Sequence, residues 1–279
     1  MCNLLASNNL TTINSLKEGV NSNTQRIVEG GMPLLLSVII PTYNEAQNIA
    51  DLLGRLGTTL KNTSYEIIVV DDSSNDGTYC IVECARVEYP IRSIQRPAKK
   101  GLASAVLEGI GIANGELICV VDADCSHPVL CIPAMIGCLQ KHDNDVVIAS
   151  RYMGKGAVSE ETMLKKSVSC LGTLIVKPLT RSTDPLSGFF IAKKCLFHKL
   201  TLRPRGYKVL LEIIARYPQI KTADFPYTFK RRSRGKSKIT AQIYVVFLWQ
   251  VLCLYFYRVN LRFIKTMSAF KTYRRGSAQ

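Results

Sequence analysis

Short apolar runs alternate with helical patterns through the first half of the chain. Four of these runs have the composition of strands buried on both faces of a parallel sheet. They are Leu34–Ile40, Tyr65–Val70, Leu117–Val121 and Asp145–Ala149. A further short strand fits at Ile91–Ile94. This β-α-β-α-β-α-β order predicts an α/β fold with a mostly parallel, doubly wound, Rossmann-like sheet and right-handed crossovers.

Two carboxylates stand directly after the run Leu117–Val121, in the triplet Asp122-Ala123-Asp124. Side chains two residues apart on an extended chain point the same way. These two can therefore converge past the carboxyl end of a strand, where open α/β sheets bind their ligands. Carboxylates that close repel each other unless a cation lies between them. Such oxygen ligands suit Mg²⁺ or Mn²⁺, which usually bridge to substrate phosphates. Taken alone, the triplet fits a solvated acidic turn equally well.

Polar residues also follow the two preceding strands of the predicted sheet. Tyr43 and Glu45 follow the first strand, and Asp71 and Asp72 follow the second. In a doubly wound sheet these loops meet the loop of the D-x-D triplet around one crevice. We therefore predict a nucleotide diphosphate site. In it Asp72 takes a base or ribose group, Tyr43 stacks or hydrogen-bonds, and Asp124 holds the metal ion.

The chain of 279 residues has a net charge of +15, from 36 Lys and Arg against 21 Asp and Glu. Such an excess implies an anionic partner, which could be a nucleic acid, a membrane surface or a phosphorylated substrate. The densest basic run, Lys230–Lys238, has no interleaved aromatic residues and matches no nucleic-acid-binding pattern. We therefore expect no nucleic acid partner.

Cysteine usage points to a reducing compartment rather than to zinc. The ten cysteines include no C-x-x-C pair, and only three histidines accompany them. Small buried thiols are the better interpretation. The N-terminal residues lack the apolar core of a secretory signal, and we expect residues 1–33 to form a disordered extension.

An uncharged segment of 19 residues, Ile239–Tyr257, lies near the C-terminus and is followed by a basic tail from Arg258 to Arg275. It is just long enough to span a bilayer, but its polar residues weaken that interpretation and its aromatic residues favour an interface. Three alternatives stay open: a helix in the membrane interface, a spanning anchor and an ordinary core helix. We predict a membrane-associated helix and basic tail over 243–279, placed by its charge at an anionic, cytoplasmic leaflet.

Seven motifs occur in an order that resembles one protein family. They are VIIPTYNEAQNI, VDDSSNDGT, KKGLASAVLEGI, VVDADCSHP, SRYMGKG, DPLSGFF and RSRGKSK. From Leu34 to Lys238 the chain is similar to the dolichyl-phosphate (polyprenyl-phosphate) mannosyltransferases, which are family 2 glycosyltransferases with the GT-A fold. The resemblance implies a GT-A domain at 34–242. Ala103 and Lys236 depart from it, because many members carry Gly and Glu at these positions.

The resemblance also implies roles for individual residues. Those that match nucleotide-sugar-binding positions are Pro41, Tyr43, Glu45, Val70, Asp72, Asp122, Ala123, Asp124, Arg151, Arg232 and Lys238. The implied catalytic residues are Asp124, Arg151, Arg232 and Lys238, and the implied ligands of Mg²⁺ or Mn²⁺ are Asp122, Asp124 and Ser126. Asp184 is a further candidate, which either pairs with an active-site arginine or caps the turn that follows it.

The implied reaction is transfer of mannose from GDP-mannose to dolichyl or polyprenyl phosphate, for use in glycosylation. The acceptor oxygen is already anionic, so no catalytic base is needed, and a single displacement inverts the anomeric centre to give a β-linked product. A UDP-glucose-dependent polyprenyl-phosphate glucosyltransferase is the alternative. The basic flanks of Ile239–Tyr257 favour an anionic membrane surface as a partner and an active site facing the cytoplasm, at the ER or the cell membrane. A small membrane subunit is a further candidate partner.

Overall fold

The computed structural model describes residues 35–153, 172–200, 202, 208–228 and 244–260. The predicted N-terminal extension 1–33, the basic run Lys230–Lys238 and the tail beyond residue 260 lie outside these ranges.

Among the described residues, seven strands form one sheet. They are β1 (Leu36–Thr42), β2 (Tyr65–Asp71), β3 (Ile91–Gln95), β4 (Leu117–Val120), β5 (Val146–Ser150), β6 (Phe190–Lys193) and β7 (Thr222–Pro226). The helices are α1 (Ile49–Leu60), α2 (Thr78–Ala85), α3 (Leu102–Ile112), α4 (Ile132–Lys141), α5 (Lys194–Lys199) and α6 (Val209–Arg216). Residues 172–176 and 244–260 are also helical, and the latter are called helix 244–260 below.

The sheet is mixed, and its strand order is β3-β2-β1-β4-β6-β5-β7. The pairs β1–β2, β1–β4, β2–β3 and β5–β7 are parallel, which confirms the predicted mostly parallel sheet. Strand β6 is antiparallel to both β4 and β5, a direction that the sequence pattern did not predict. Since Val120 pairs with Phe190, the residues entering β6 lie beside the residues leaving β4. The antiparallel strand therefore brings residues before Phe190 next to the D-x-D triplet.

Alternate residues of β1 face opposite sides of the sheet and join two separate cores. Val38 and Ile40 pack in one core with apolar side chains of α1 and α4. Ile39 packs in the other core with side chains of α3 and α6. Every residue of β1 is buried, as expected for a central strand covered on both faces. The result is a three-layer α/β/α arrangement with the strand ends left for the site.

Helix 244–260 has one buried face. Phe247, Val251 and Leu254 pack in a third apolar cluster with Leu179 and Leu211. In addition, the hydroxyl of Tyr255 donates to the carbonyl of Ile175 at 2.7 Å, and Arg258 Nη2 donates to that of Leu179 at 2.7 Å. Within the described ranges, none of the helices combines the length and the hydropathy needed to cross a bilayer.

Substitutions at two glycines of α3 would show how closely this helix packs on the sheet. A Cβ at Gly109 would lie 2.6 Å from Cγ2 of Ile39, whereas a Cβ at Gly111 would meet no heavy atom within 4 Å. We expect Gly109→Ala to lower the free energy of unfolding by about 1–3 kcal/mol, because Ile39 is fixed in the central strand. The matched control Gly111→Ala should raise it by about 0.5–1 kcal/mol, since alanine favours the helix. Urea denaturation of both variants checks this, and equal effects of the two substitutions would contradict it.

Candidate active site

The loops after β1 and β2 are tied together by hydrogen bonds. The backbone N–H of Asn44 donates to Ser74 Oγ at 2.8 Å, and the N–H of Asn75 donates to Asn44 Oδ1 at 3.0 Å. The N–H of Glu45 donates to Thr78 Oγ1 at 2.8 Å. The two loops therefore form one unit at the carboxyl edge of the sheet, where parallel strands place ligand-binding residues.

Asp72 organises a third loop in this unit. It is buried, and its Oδ1 accepts from Arg96 Nη1 at 3.0 Å and from the N–H of Lys100 at 2.8 Å. Its Oδ2 accepts from the N–H of Gly101 at 2.8 Å. Arg96 is buried as well and binds Glu108 Oε2 through Nε and Nη2 at 2.8 and 2.7 Å. Asp72 thus holds the basic loop 96–101 in place, a role that the sequence did not indicate.

This basic loop covers the predicted stacking residue. The ammonium of Lys99 lies 3.6 Å from the ring centroid of Tyr43, in cation–π geometry. The loop after β1 therefore presents an aromatic face and a positive charge at the same place. Both features suit a nucleotide with its phosphates.

The side chains of the D-x-D triplet alternate in burial, as expected for an extended chain at the end of a strand. Ala123 is buried, whereas Asp122 and Asp124 on either side are partly exposed. Asp124 Oδ1 accepts from the N–H of Ser126 at 3.0 Å, and Cys125 between them has a left-handed backbone with φ of 58°. This tight turn fixes the chain directly after the second carboxylate.

Asp122 lies directly against the backbone of residue 188, a close approach that only a glycine allows. A Cβ at Gly188 would lie 2.6 Å from Asp122 Oδ2 and 3.2 Å from Oδ1. Asp122 and Asp124 are both partly exposed, and their carboxylates are hard oxygen ligands of the kind that bind Mg²⁺ or Mn²⁺. The described ranges contain no group of three or more His, Cys, Asp or Glu side chains that could hold a metal ion. The residues therefore fit an ion that takes its other ligands from phosphate oxygens and water.

Arg151 is paired with Asp184, as one of the two alternatives for Asp184 predicted. Nε and Nη2 of Arg151 donate to Oδ2 and Oδ1 at 2.8 and 3.0 Å, and its backbone N–H donates to Oδ2 at 3.2 Å. Asp184 is fully buried. Burial alone would lower the pKa of Arg151, but the hydrogen bonds and the charge of Asp184 outweigh it and raise that pKa above its usual range. The guanidinium therefore keeps its charge and a fixed orientation.

Sequence reasoning missed Lys208, which directly precedes α6. Its Nζ donates to the carbonyl of Leu186 at 2.7 Å. Burial and the charge of Arg151 lower its pKa, while the charges of Asp122 and Asp184 act in the opposite direction. Lys208 therefore lies within electrostatic reach of Asp122, the first carboxylate of the D-x-D triplet. A single lysine before an apolar helix carries no sequence signal for such a place.

His127 was also missed, although it lies in the VVDADCSHP motif. Its Nε2 is 3.1 Å from Asp122 Oδ2, and its ring is buried. The only available signal was its spacing of five residues from a candidate metal ligand.

The structure brings most of the predicted site residues to one edge of the sheet. Pro41 and Val70 are buried and lie opposite each other in the β1–β2 register. Ser126 is buried and reaches the site through its backbone N–H to Asp124. Arg232 and Lys238 lie outside the described residues.

Comparisons with known proteins agree with this geometry. The family model described as glycosyl transferase family 2 matches residues 37–217. A dolichol-phosphate mannosyltransferase from Pyrococcus furiosus is 38% identical over 208 residues, which cover 73% of this chain and 59% of that protein. The chain thus spans less than two thirds of this relative. A dolichol-phosphate mannosyltransferase from Saccharomyces cerevisiae is 34% identical over 242 residues, covering 81% of this chain and 89% of that protein.

A solved structure shows the same architecture. Glucosyl-3-phosphoglycerate synthase from Mycobacterium tuberculosis, in complex with Mn²⁺, UDP-glucose and phosphoglyceric acid, superimposes with a TM-score of 0.59 at 18% identity. The match covers 78% of this chain and 79% of that one, and at this identity it bears on the fold alone. Taken with the family match, it makes the sheet and its flanking helices a GT-A-like fold. The chain belongs to glycosyltransferase family 2 and is a glycosyltransferase.

Proposed function

We propose that this glycosyltransferase transfers mannose from GDP-mannose to dolichyl or another polyprenyl phosphate. The observation that carries the proposal is the pair of partly exposed carboxylates, Asp122 and Asp124, of which Asp122 lies against Gly188 in the segment that follows the buried Asp184 of the Arg151–Asp184 pair. A site of this kind takes a metal-bound diphosphate on one side and an anionic acceptor on the other. The names of the relatives from Pyrococcus furiosus and Saccharomyces cerevisiae support this choice of acceptor and sugar.

The donor nucleotide is assigned to the loops after β1 and β2. Tyr43 and Glu45 line one side, with Lys99 above the tyrosine ring. Asp72 acts there by holding the loop 96–101, through its bonds to Arg96 and to two backbone N–H groups. We expect this network to fix the shape of the base pocket before the nucleotide binds, which lowers the entropy cost of binding.

Asp122 and Asp124 are the residues assigned to hold Mg²⁺ or Mn²⁺. Such an ion, when bound, offsets the charge that develops on the departing nucleoside diphosphate. The Mn²⁺ in the complex of the mycobacterial synthase supports a divalent ion as the cofactor.

The acceptor phosphate is assigned to the cations beside the triplet. Arg151 is held by Asp184, and Lys208 is held by the carbonyl of Leu186. Their positive charges would align the anionic phosphate oxygen with C1 of the sugar, by positioning and electrostatics rather than by removal of a proton. The oxygen forms a bond to C1 as the bond from C1 to the diphosphate breaks, so the anomeric centre inverts. Arg232 and Lys238 are assigned to the same phosphates by the family resemblance.

Helix 244–260 is the part that we assign to a lipid surface. Its outer face exposes a row of large apolar side chains, which are Val245, Leu248, Trp249, Leu252, Phe256 and Val259. A continuous exposed apolar face of this kind marks an interaction site. The basic residues that flank the helix in the sequence favour anionic lipid as its partner. The active site would then face the cytoplasm at the ER or the cell membrane, close to a lipid-bound acceptor.

The proposed transfer of mannose can be tested directly. We expect the detergent-solubilised full chain to move radiolabel from GDP-mannose to dolichyl phosphate in the presence of Mg²⁺ or Mn²⁺. Asp124→Asn should lower this transfer at least about 10²-fold, because the diphosphate loses its charge compensation. Partition of the label into the organic phase gives the measurement. Transfer from UDP-glucose instead would keep the mechanism and change the donor. If a folded protein supplied with lipid transfers label from neither donor, the proposal is overturned.

The buried Arg151–Asp184 pair can be tested by removing the charge of Asp184. Asp184→Asn leaves the guanidinium of Arg151 without its counter-charge, so we expect about 3–5 kcal/mol lower stability. We also expect about a 10²-fold loss in kcat, because the guanidinium is no longer held in place. The matched control is Asp143→Asn, which removes an exposed carboxylate paired with Lys193 and Lys221 and should leave kcat unchanged. Thermal unfolding and steady-state kinetics measure both effects, and a fully active Asp184→Asn variant would refute the role of the pair.

The assignment of helix 244–260 to a lipid surface can be tested on its exposed apolar face. The double variant Trp249→Glu/Phe256→Glu should bind anionic vesicles at least about tenfold more weakly, because two large apolar groups no longer enter the lipid. Val87→Glu is the matched control, since Val87 is an exposed apolar residue on another surface. Flotation with vesicles of phosphatidylcholine and phosphatidylserine gives the affinities. If the double variant binds the vesicles as tightly as the unchanged protein does, helix 244–260 is not the docking face.

A further inference from the structure

His127 lies behind the first carboxylate of the D-x-D triplet. Its Nε2 is 3.1 Å from Asp122 Oδ2, and the side chain of His127 is 5% exposed against 35% for Asp122. The contact is therefore made from the protein interior, while the carboxylate itself is partly exposed and lies against Gly188. The left-handed turn at Cys125 reverses the chain and allows a residue so close in sequence to point back at Asp122.

The other side of the imidazole faces a tyrosine from the far end of the sheet. Nδ1 of His127 is 3.4 Å from the hydroxyl oxygen of Tyr227, which directly follows β7. The imidazole also packs on Phe189, with ring centroids 5.2 Å apart, and Phe189 meets Tyr227 edge to face at 6.1 Å. Two buried rings from separate parts of the chain thus fix the position of the histidine.

The chemistry of the partners assigns the protons. An ionised carboxylate can only accept, so Nε2 carries the hydrogen and donates it to Asp122 Oδ2. In the neutral ring Nδ1 then accepts from the hydroxyl of Tyr227. The result is a directed chain from Tyr227 through His127 to Asp122.

We propose that His127 is a positioning residue for Asp122, and that Tyr227 fixes the tautomer in which it acts. The proposal rests on the proposed function, in which Asp122 is a ligand of a divalent cation. A partly exposed carboxylate can rotate. A hydrogen-bond partner that fixes its orientation therefore strengthens its binding to a metal ion. His127 thus orients Asp122 and does not itself touch the ion or the substrate.

The test measures binding of nucleotide with and without Mn²⁺, so that it does not depend on turnover. Equilibrium dialysis with GDP, or with UDP if the unchanged protein prefers it, gives the affinity in each condition. His127→Phe keeps an aromatic ring between Phe189 and Tyr227 but lacks the N–H. We expect it to weaken the Mn²⁺-dependent part of nucleotide binding by about 10- to 100-fold and to leave the Mn²⁺-independent part unchanged.

Two further variants separate positioning from packing. His127→Gln places an N–H donor near the site of Nε2 and should restore a large part of the Mn²⁺ dependence. Tyr227→Phe keeps the ring packing and removes the hydroxyl, so we expect a smaller loss in the same direction. These two variants decide the question even if His127→Phe fails to fold. Pulsed EPR of the protein with Mn²⁺ and nucleotide should show no coupling of the ion to a histidine nitrogen.

The outcomes distinguish this proposal from the proposed function. Unchanged Mn²⁺ dependence in His127→Phe, or in His127→Gln and Tyr227→Phe together, overturns the positioning role and leaves the proposed function intact. A nitrogen coupling to Mn²⁺ overturns it too, because His127 would then be a direct ligand. An unchanged protein that binds neither nucleotide with Mn²⁺ overturns the metal site, and with it both proposals.

Discussion

The buried ion pair between Arg151 and Asp184 is the constraint on which the arrangement beside the D-x-D triplet depends. A fully buried carboxylate is stable only with its charge and hydrogen bonds satisfied, and Asp184 accepts three hydrogen bonds from Arg151. The carbonyl of Asp184 also accepts from the N–H of Ser187. The pair therefore holds the segment before β6 against the end of β5. Because of this, Gly188 faces Asp122 and the carbonyl of Leu186 is in place for Lys208.

A second buried pair, Arg96–Asp72, does the same for the loop that follows β3. Both side chains are almost fully buried, and the guanidinium also binds Glu108 and Ser104. Removing either partner would leave a buried charge, so the loop 96–101 has little alternative to its observed course. The D-x-D triplet thus lies between two loops that are each fixed by a buried Arg–Asp pair. Under the proposed function, these two pairs would explain how a site built on loops keeps the geometry that in-line displacement requires.

Local patterns in the sequence predicted the parallel part of the sheet and the meeting of the strand ends, because strand period and helix alternation are properties of neighbouring residues. They also predicted the D-x-D carboxylates and the pairing of Asp184 with an arginine as one alternative. The direction of β6, the place of Lys208 and the contact of His127 with Tyr227 depend on residues far apart in the chain. No local pattern encodes such contacts. The strand-end position of Asp72 predicted a contact with a base or ribose group, which stays a prediction. It did not indicate the three hydrogen bonds that Asp72 accepts from Arg96, Lys100 and Gly101.

The contacts of helix 244–260 connect the proposed lipid surface to the site. Gln250 Nε2 donates to the carbonyl of Lys208 at 3.1 Å, and Arg216 lies 4.8 Å from the ring centroid of Tyr257. The helix therefore runs along α6 in the same direction, from the cation beside the D-x-D triplet toward the end of α6. A polyprenyl phosphate cannot leave the bilayer far, because its chain is apolar. Under the proposed function, an apolar outer face on the helix that also holds Lys208 would bring the phosphate-binding cations to the depth at which such an acceptor is found.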